Sequence, residues 1–265
     1  MLARCAASLI ATLTLLPAVS QAATPLPAGT EIHVNVSPRG RHFDPKVTVF
    51  PDGGFVVVWA NGPVGGGHEV IHARLFAPDG SPTSGEFRLG DPAIGSQVPD
   101  QVVADRDGSF LLAWTEERAP LGVTDVFVRR FRRNGTAAGP RIQVHARSPY
   151  RRFGGHLAIG SDGRFAVAWT AVDFQRGALF ENAMARLFTA KGALLSSPLL
   201  VLPGDPGSED EDVVDAFPTG VALEADGTLA VLVQDSDQML GTGTYLQRYP
   251  GIQTFVRPPL CCSEE

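Results

Sequence analysis

Asp52-Gly53-Gly54-Phe55-Val56-Val57-Val58-Trp59 is a turn followed by a short, unbroken apolar run. Asp and Gly both tolerate positive φ, so the pair opens a strand rather than a helix. The pattern recurs as Asp107-Gly108-Ser109-Phe110-Leu111-Leu112-Ala113-Trp114 and as Asp162-Gly163-Arg164-Phe165-Ala166-Val167-Ala168-Trp169. A weaker copy is Asp226-Gly227-Thr228-Leu229-Ala230-Val231-Leu232-Val233. The spacings are 55, 55 and 64 residues, and all three tryptophans fall on one repeat position. A period of this length marks an architecture of stacked units that bury one another's faces.

A second hairpin follows each first one: Arg74-Leu75-Phe76 leads to Asp79-Gly80, Arg130-Phe131 to Asn134-Gly135, and Arg186-Leu187-Phe188 to Lys191-Gly192. Gln247-Arg248-Tyr249 leads to Pro250-Gly251. Each repeat therefore reads as four strands, near 46–50, 54–60, 69–77 and 86–90 in the first and 101–105, 109–115, 125–132 and 140–145 in the second. The second strand is apolar throughout, as in a sheet covered on both faces. The fold class is all-β, a β-propeller of about four four-stranded antiparallel blades. The repeats occupy about 37–90, 91–145, 146–202 and 203–257, within a domain of 23–257 that ends in a tail, 258–265. Gly29-Thr30-Glu31-Ile32-His33-Val34 reads like the fourth strands Gly85–Leu89 and Gly139–Val144 but precedes any complete repeat. It is expected to close the ring by pairing with the last blade, where Ile252–Val256 is followed by Pro258-Pro259. The pattern resembles the Asp-Gly-x-Phe-x-Val-x-Trp propeller repeats of secreted bacterial proteins, across roughly residues 30–250. That resemblance implies an architecture and no particular activity. If four repeats close a ring alone the chain is a monomer; if they form half a ring it is a dimer.

Residues 1–22 read as a signal peptide. Arg4 supplies the positive start, Cys5–Leu16 the apolar run, Pro17 its stop, and Ser20-Gln21-Ala22 the small residues before cleavage at Ala23. The apolar run is too short for a transmembrane helix, so the reading is export to the periplasm or the exterior. Cys5 leaves with the signal, and the adjacent pair Cys261-Cys262 makes no disulfide framework. The net charge of −6 argues against nucleic acid as a partner.

In a four-stranded meander the tight Asp-Gly and Asn-Gly turns share one face of the ring. The long, dissimilar loops near 61–68, 91–100, 116–124, 146–155, 171–181, 203–219 and 234–243 share the other, where a ligand is expected. The candidate ligand-binding residues there are His42, Glu116, Arg151, Arg152 and Asp173. Arginine pairs bidentately with carboxylates, which suits an anion or an acidic glycan. Asp205, Glu209, Asp210, Glu211, Asp212 and Asp215 form an acidic loop without the EF-hand order, so calcium is expected to bind weakly or not at all. No nucleophile elbow, His-Glu-x-x-His or phosphate loop is present. No cofactor, metal or catalytic residue is assigned. Two functions stay open: a non-enzymatic binding module for a protein or glycan, or a glycan hydrolase or lyase using loop carboxylates such as Glu116, Glu117, Asp173, Asp235 and Asp237.

Overall fold

The computed structural model describes residues 29–64, 67–118, 122–205, 215–236 and 243–250. The expected signal segment, most of the acidic loop, Ile252–Val256 and the cysteine pair lie outside them. From His33 onward the chain is one unit.

Among the described residues, fifteen strands form four antiparallel sheets and there is no helix. The first blade is β1 (Arg41–Val49), β2 (Phe55–Gly62), β3 (Val70–Phe76) and β4 (Phe87–Arg88). The second is β5 (Gln97–Ala104), β6 (Phe110–Arg118), β7 (Val123–Phe131) and β8 (Ile142–Gln143). The third is β9 (Arg152–Ile159), β10 (Phe165–Gln175), β11 (Ala178–Phe188) and β12 (Leu199–Leu202). The fourth has β13 (Asp215–Leu223), β14 (Leu229–Ser236) and β15 (Thr244–Tyr249). Each sheet is a meander, with its strands side by side in chain order.

The turns form as their chemistry dictates. Gly53, Gly80, Gly108, Gly135, Gly163, Gly192 and Gly227 all have φ between +78° and +85°, which a side chain disfavours. The Asp before each blade's first such Gly accepts a hydrogen bond from the backbone two residues on: Asp52 from Gly54 (3.1 Å), Asp107 from Ser109 (2.8 Å), Asp162 from Arg164 (3.0 Å) and Asp226 from Thr228 (2.8 Å). The strands then pair Phe with Phe across β2–β3, β6–β7 and β10–β11, with ring centroids 4.9, 5.4 and 4.9 Å apart. In the fourth blade Leu229 faces Tyr249 instead.

The core is three copies of one interface. On one side of each joint stand alternate residues of the earlier blade: Val56 and Val58, then Leu111 and Ala113, then Ala166 and Ala168. Against them pack the intervening positions of the next blade: Phe110, Leu112 and Trp114, then Phe165, Val167 and Trp169, then Leu229, Val231 and Val233. Trp114 and Trp169 are therefore buried between blades. Trp59 is also buried, but on the free face of the first blade, with Val57, Phe76 and Val34.

The closing strand differs from expectation. Residues 30–36 form no strand, and the fourth sheet has three strands among the described residues. Arg74 donates to the carbonyl of Val34 (2.9 Å) and Glu86 accepts from the Val36 N–H (3.0 Å). These bonds and the Val34 side chain hold the segment to the first blade, not the last.

Candidate functional site

The first strand of each blade neighbours the first strand of the next, β1 to β5 to β9 to β13, so these four strands line the axis. Each is broken at the same depth by a bulge or a register shift. In β1 the shift falls between Phe43 and Lys46, in β5 between Pro99 and Gln101, and in β13 between Pro218 and Gly220. In β9 it skips Gly154 and Gly155. Just beyond it, Lys46, Gln101, His156 and Gly220 occupy one repeat position, opposite Val58, Ala113, Ala168 and Leu232. A bulge turns a side chain out of the pleat and is a common device beside active sites.

Asp44 and Asp100 are the residues these bulges re-aim. Asp44 is exposed, and its φ of +50° is one of two left-handed values at non-glycine residues among those described. Asp100 is partly buried. It accepts hydrogen bonds from the Thr115 hydroxyl (2.9 and 3.2 Å) and from the Gly155 N–H. Thr115 in turn accepts from the Gly154 N–H (3.3 Å). A β-carbon on Gly155 would lie 3.1 Å from Asp100 Oδ2 and 2.9 Å from Val126, so only glycine lets β9 approach this closely. Burial raises the Asp100 carboxyl from 3.8 to about 6; the hydrogen bonds from Gly155 and Thr115 and the charge of Lys46 oppose the rise, and the charge of Asp44 adds to it. His156 is held below its ordinary value by burial, opposed by a bond to the Pro218 carbonyl and aided by Lys46. The axis thus gathers two carboxyl groups, an amine and a neutral imidazole on three blades.

The residues singled out from the sequence are placed differently. Glu116 is buried on β6, where Arg141 binds both its oxygens (2.7 and 2.6 Å) and the Trp114 indole reaches it (3.3 Å). Arg141 also lies 4.0 Å from the centre of the Phe127 ring. Glu116 is committed to the joint rather than offered to a ligand. Arg152 and Asp173 come together: Arg152 donates to Asp173 (2.8 Å) and to the Val172 carbonyl, and Asn182 donates to the other Asp173 oxygen (3.0 Å). Arg151 beside them is exposed and covers the Phe153 ring at 5.0 Å. His42 lines a cavity of about 280 Å³ with Val34, Phe43, Val57 and Trp59; both its ring nitrogens are buried without a partner.

The loop reading of 171–181 is corrected. β10 and β11 run on as one hairpin, pairing Asp173 with Phe180 and turning at Arg176-Gly177 (φ +51° and +86°). Eleven-residue strands satisfy their backbone groups across the whole stretch, so Asp173 is a strand residue. Of the acidic loop only Asp205 and Asp215 are described, and Asp215 accepts from the Glu181 N–H (2.9 Å). Among the described residues no group of three or more His, Cys, Asp or Glu is arranged to hold a metal.

Asp44 and Asp100 were missed because they lie inside strands. A signal was present: Pro45, Pro99, Gly155 and Pro218 interrupt the first strand of every repeat, and proline or glycine inside a strand marks a bulge.

The chain is an all-β propeller. No protein-family model matches it, and comparison with curated proteins finds no match. Solved structures share the fold. A protein of unknown function from Dyadobacter fermentans aligns over 82% of this chain and 67% of its own, with a TM-score of 0.53 and 13% identity. An ulvan lyase bound to -[GlcA(1-4)Rha3S]- aligns over 80% of this chain, with a TM-score of 0.52 and 12% identity. The lyase also appears without that sugar at a TM-score of 0.51 and 13% identity, over 77% of this chain. This chain spans 56% and 55% of the length of those two lyase structures. Among the described residues no helix is long and apolar enough to cross a membrane.

Proposed function

We propose that this chain is an exported propeller enzyme that cleaves a polysaccharide, with Asp44 and Asp100 as its acid–base pair. The observation that carries the reading is the Asp100 carboxyl, raised to about 6 beside the exposed Asp44 on the propeller axis. A carboxyl group raised by its surroundings, with a second carboxyl group at hand, is the equipment of glycoside hydrolysis. Asp100, protonated, gives its proton to the glycosidic oxygen as the bond to the anomeric carbon breaks. Asp44 takes a proton from the water whose oxygen bonds to that carbon. Thr115 and Gly155 hold the Asp100 carboxyl in place, and the product leaves with one new hydroxyl on each fragment.

Lys46 favours a second reading. Its charge acts on both Asp100 and His156, and an amine at that point would neutralise a uronate carboxylate, the group on which elimination depends. The sugar in the lyase structure carries such a residue. The two readings part on their products, because elimination alone leaves an ultraviolet-absorbing unsaturated uronate.

The test is a panel of neutral and uronate-containing polysaccharides, followed by both new reducing ends and ultraviolet absorbance. Cleavage should fall by roughly 10²–10⁴-fold in Asp100→Asn and in Asp44→Asn, with the fold intact by circular dichroism. Glycan binding that survives both substitutions, with no cleavage of any substrate by the unaltered chain, would return the protein to the non-enzymatic binding modules.

A further inference from the structure

We propose that a second copy of this chain docks its last blade against the free face of its first blade, continuing the blade-to-blade interface already formed three times within each copy. The inference goes beyond the catalytic reading and does not depend on it.

The repeat shows that this face is unfinished. Val47, Val102 and Leu157 occupy one position, opposite Val57, Leu112 and Val167. Val102 is 4% and Leu157 2% exposed, each covered by the blade before it, whereas Val47 is 61% exposed. Val49, two residues on, is equally bare. The last blade is open on its opposite side. Leu232 stands where Val58, Ala113 and Ala168 stand, and Leu246 where Ala73, Val128 and Ala185 stand. Those six are wholly buried, while Leu232 and Leu246 are 39% and 60% exposed. Among the described residues, no strand of the fourth sheet makes an extensive contact with a strand of the first, although every successive pair of sheets does.

The occupant is identified by the segment already seated there. Val34 sits on the free face as Val144 sits on the third blade and Val201 on the fourth. Arg74 donates to the Val34 carbonyl (2.9 Å) as its counterpart Arg186 donates to the Val144 carbonyl (3.1 Å). His33–Val36 therefore holds the place of a preceding blade's outermost strand, without that blade's other three. The fourth sheet is the complement: three strands are described, and its open side is the kind that packs on such a face. Each joint within the chain packs this side of one blade on that face of the next, so the last blade of a second copy presents the matching surface.

Sedimentation velocity of the purified chain over a wide concentration range tests this, together with Val47→Asp and Leu246→Asp. Both side chains are exposed, so either change should leave the fold intact by circular dichroism; Val49→Lys and Leu232→Lys serve as second variants of the two faces. The unaltered chain should self-associate, and each substitution should weaken association roughly tenfold or more. An equimolar mixture of Val47→Asp and Leu246→Asp keeps one good face of each kind and should give a one-to-one pair. A chain that stays monomeric at every concentration, association that ignores both substitutions, or a mixture that stays monomeric would each overturn the proposal.

Discussion

Replacing Asp100 by Asn should stabilise the protein at neutral pH while removing the proposed cleavage activity. The carboxyl rises from 3.8 to about 6 on folding because burial penalises its charged form. The sign follows from linkage. A group that holds its proton more tightly in the folded state favours folding when protonated, so its contribution is lost as pH climbs from about 4 through about 6. Above that window the ionised carboxylate costs about 3 kcal/mol, at 1.36 kcal/mol for each tenfold change in acidity. Asn keeps an oxygen for the Gly155 N–H and an amide for the Thr115 hydroxyl, and carries no charge. Urea unfolding at about pH 7.5 should therefore show Asp100→Asn more stable by about 2–3 kcal/mol, which for a domain of this size is several degrees in Tm. At about pH 3 the two proteins should come close to agreement, because the acid is then mostly protonated in both states. An Asn variant no more stable than the parent at neutral pH, or a gap that does not close on acidification, would refute the account of Asp100 and weaken the acid assigned to it. Reduced stability at both pH values would mean that its hydrogen bonds outweigh the cost of burying its charge.

Gly155→Ala should destabilise the second joint and impair cleavage, because the added carbon meets Asp100, Val126 and Ala113 at 2.9–3.1 Å; a lowered Tm with a shifted acid limb in the pH–rate profile is the expected pair of readings. Trp114→Ala should cost roughly 3–5 kcal/mol in chemical denaturation, since the indole fills the joint between the first two blades and stacks on Phe127 at 5.8 Å. Lost ligand binding with unchanged stability would instead make Trp114 part of a binding platform.

The sequence alone determined the repeat and the strands because both rest on local chemistry. Asp-Gly turns demand positive φ wherever they occur, and an apolar run following each of them has to be covered on both sides. The tryptophans' shared repeat position pointed to one place between blades for all three, which Trp114 and Trp169 occupy while Trp59 lies on the free face of the first blade. They did not reach the site, because Asp44 and Asp100 are far apart in the chain and sit at bulges whose direction depends on how one first strand packs on the next. Glu116 and Asp173 show the converse: each follows an apolar strand and looks free in sequence, yet Arg141 and Arg152 claim them once the strands are paired. The seat of the amino-terminal segment was likewise a tertiary matter. Its likeness to a fourth strand was legible, but which blade it would serve was settled by Arg74 and Glu86, which capture its backbone on the first. Periodicity determines what each unit is; packing determines which groups the units bring face to face, because a carboxyl group's acidity and a sheet's need for a partner both depend on neighbours from elsewhere in the chain.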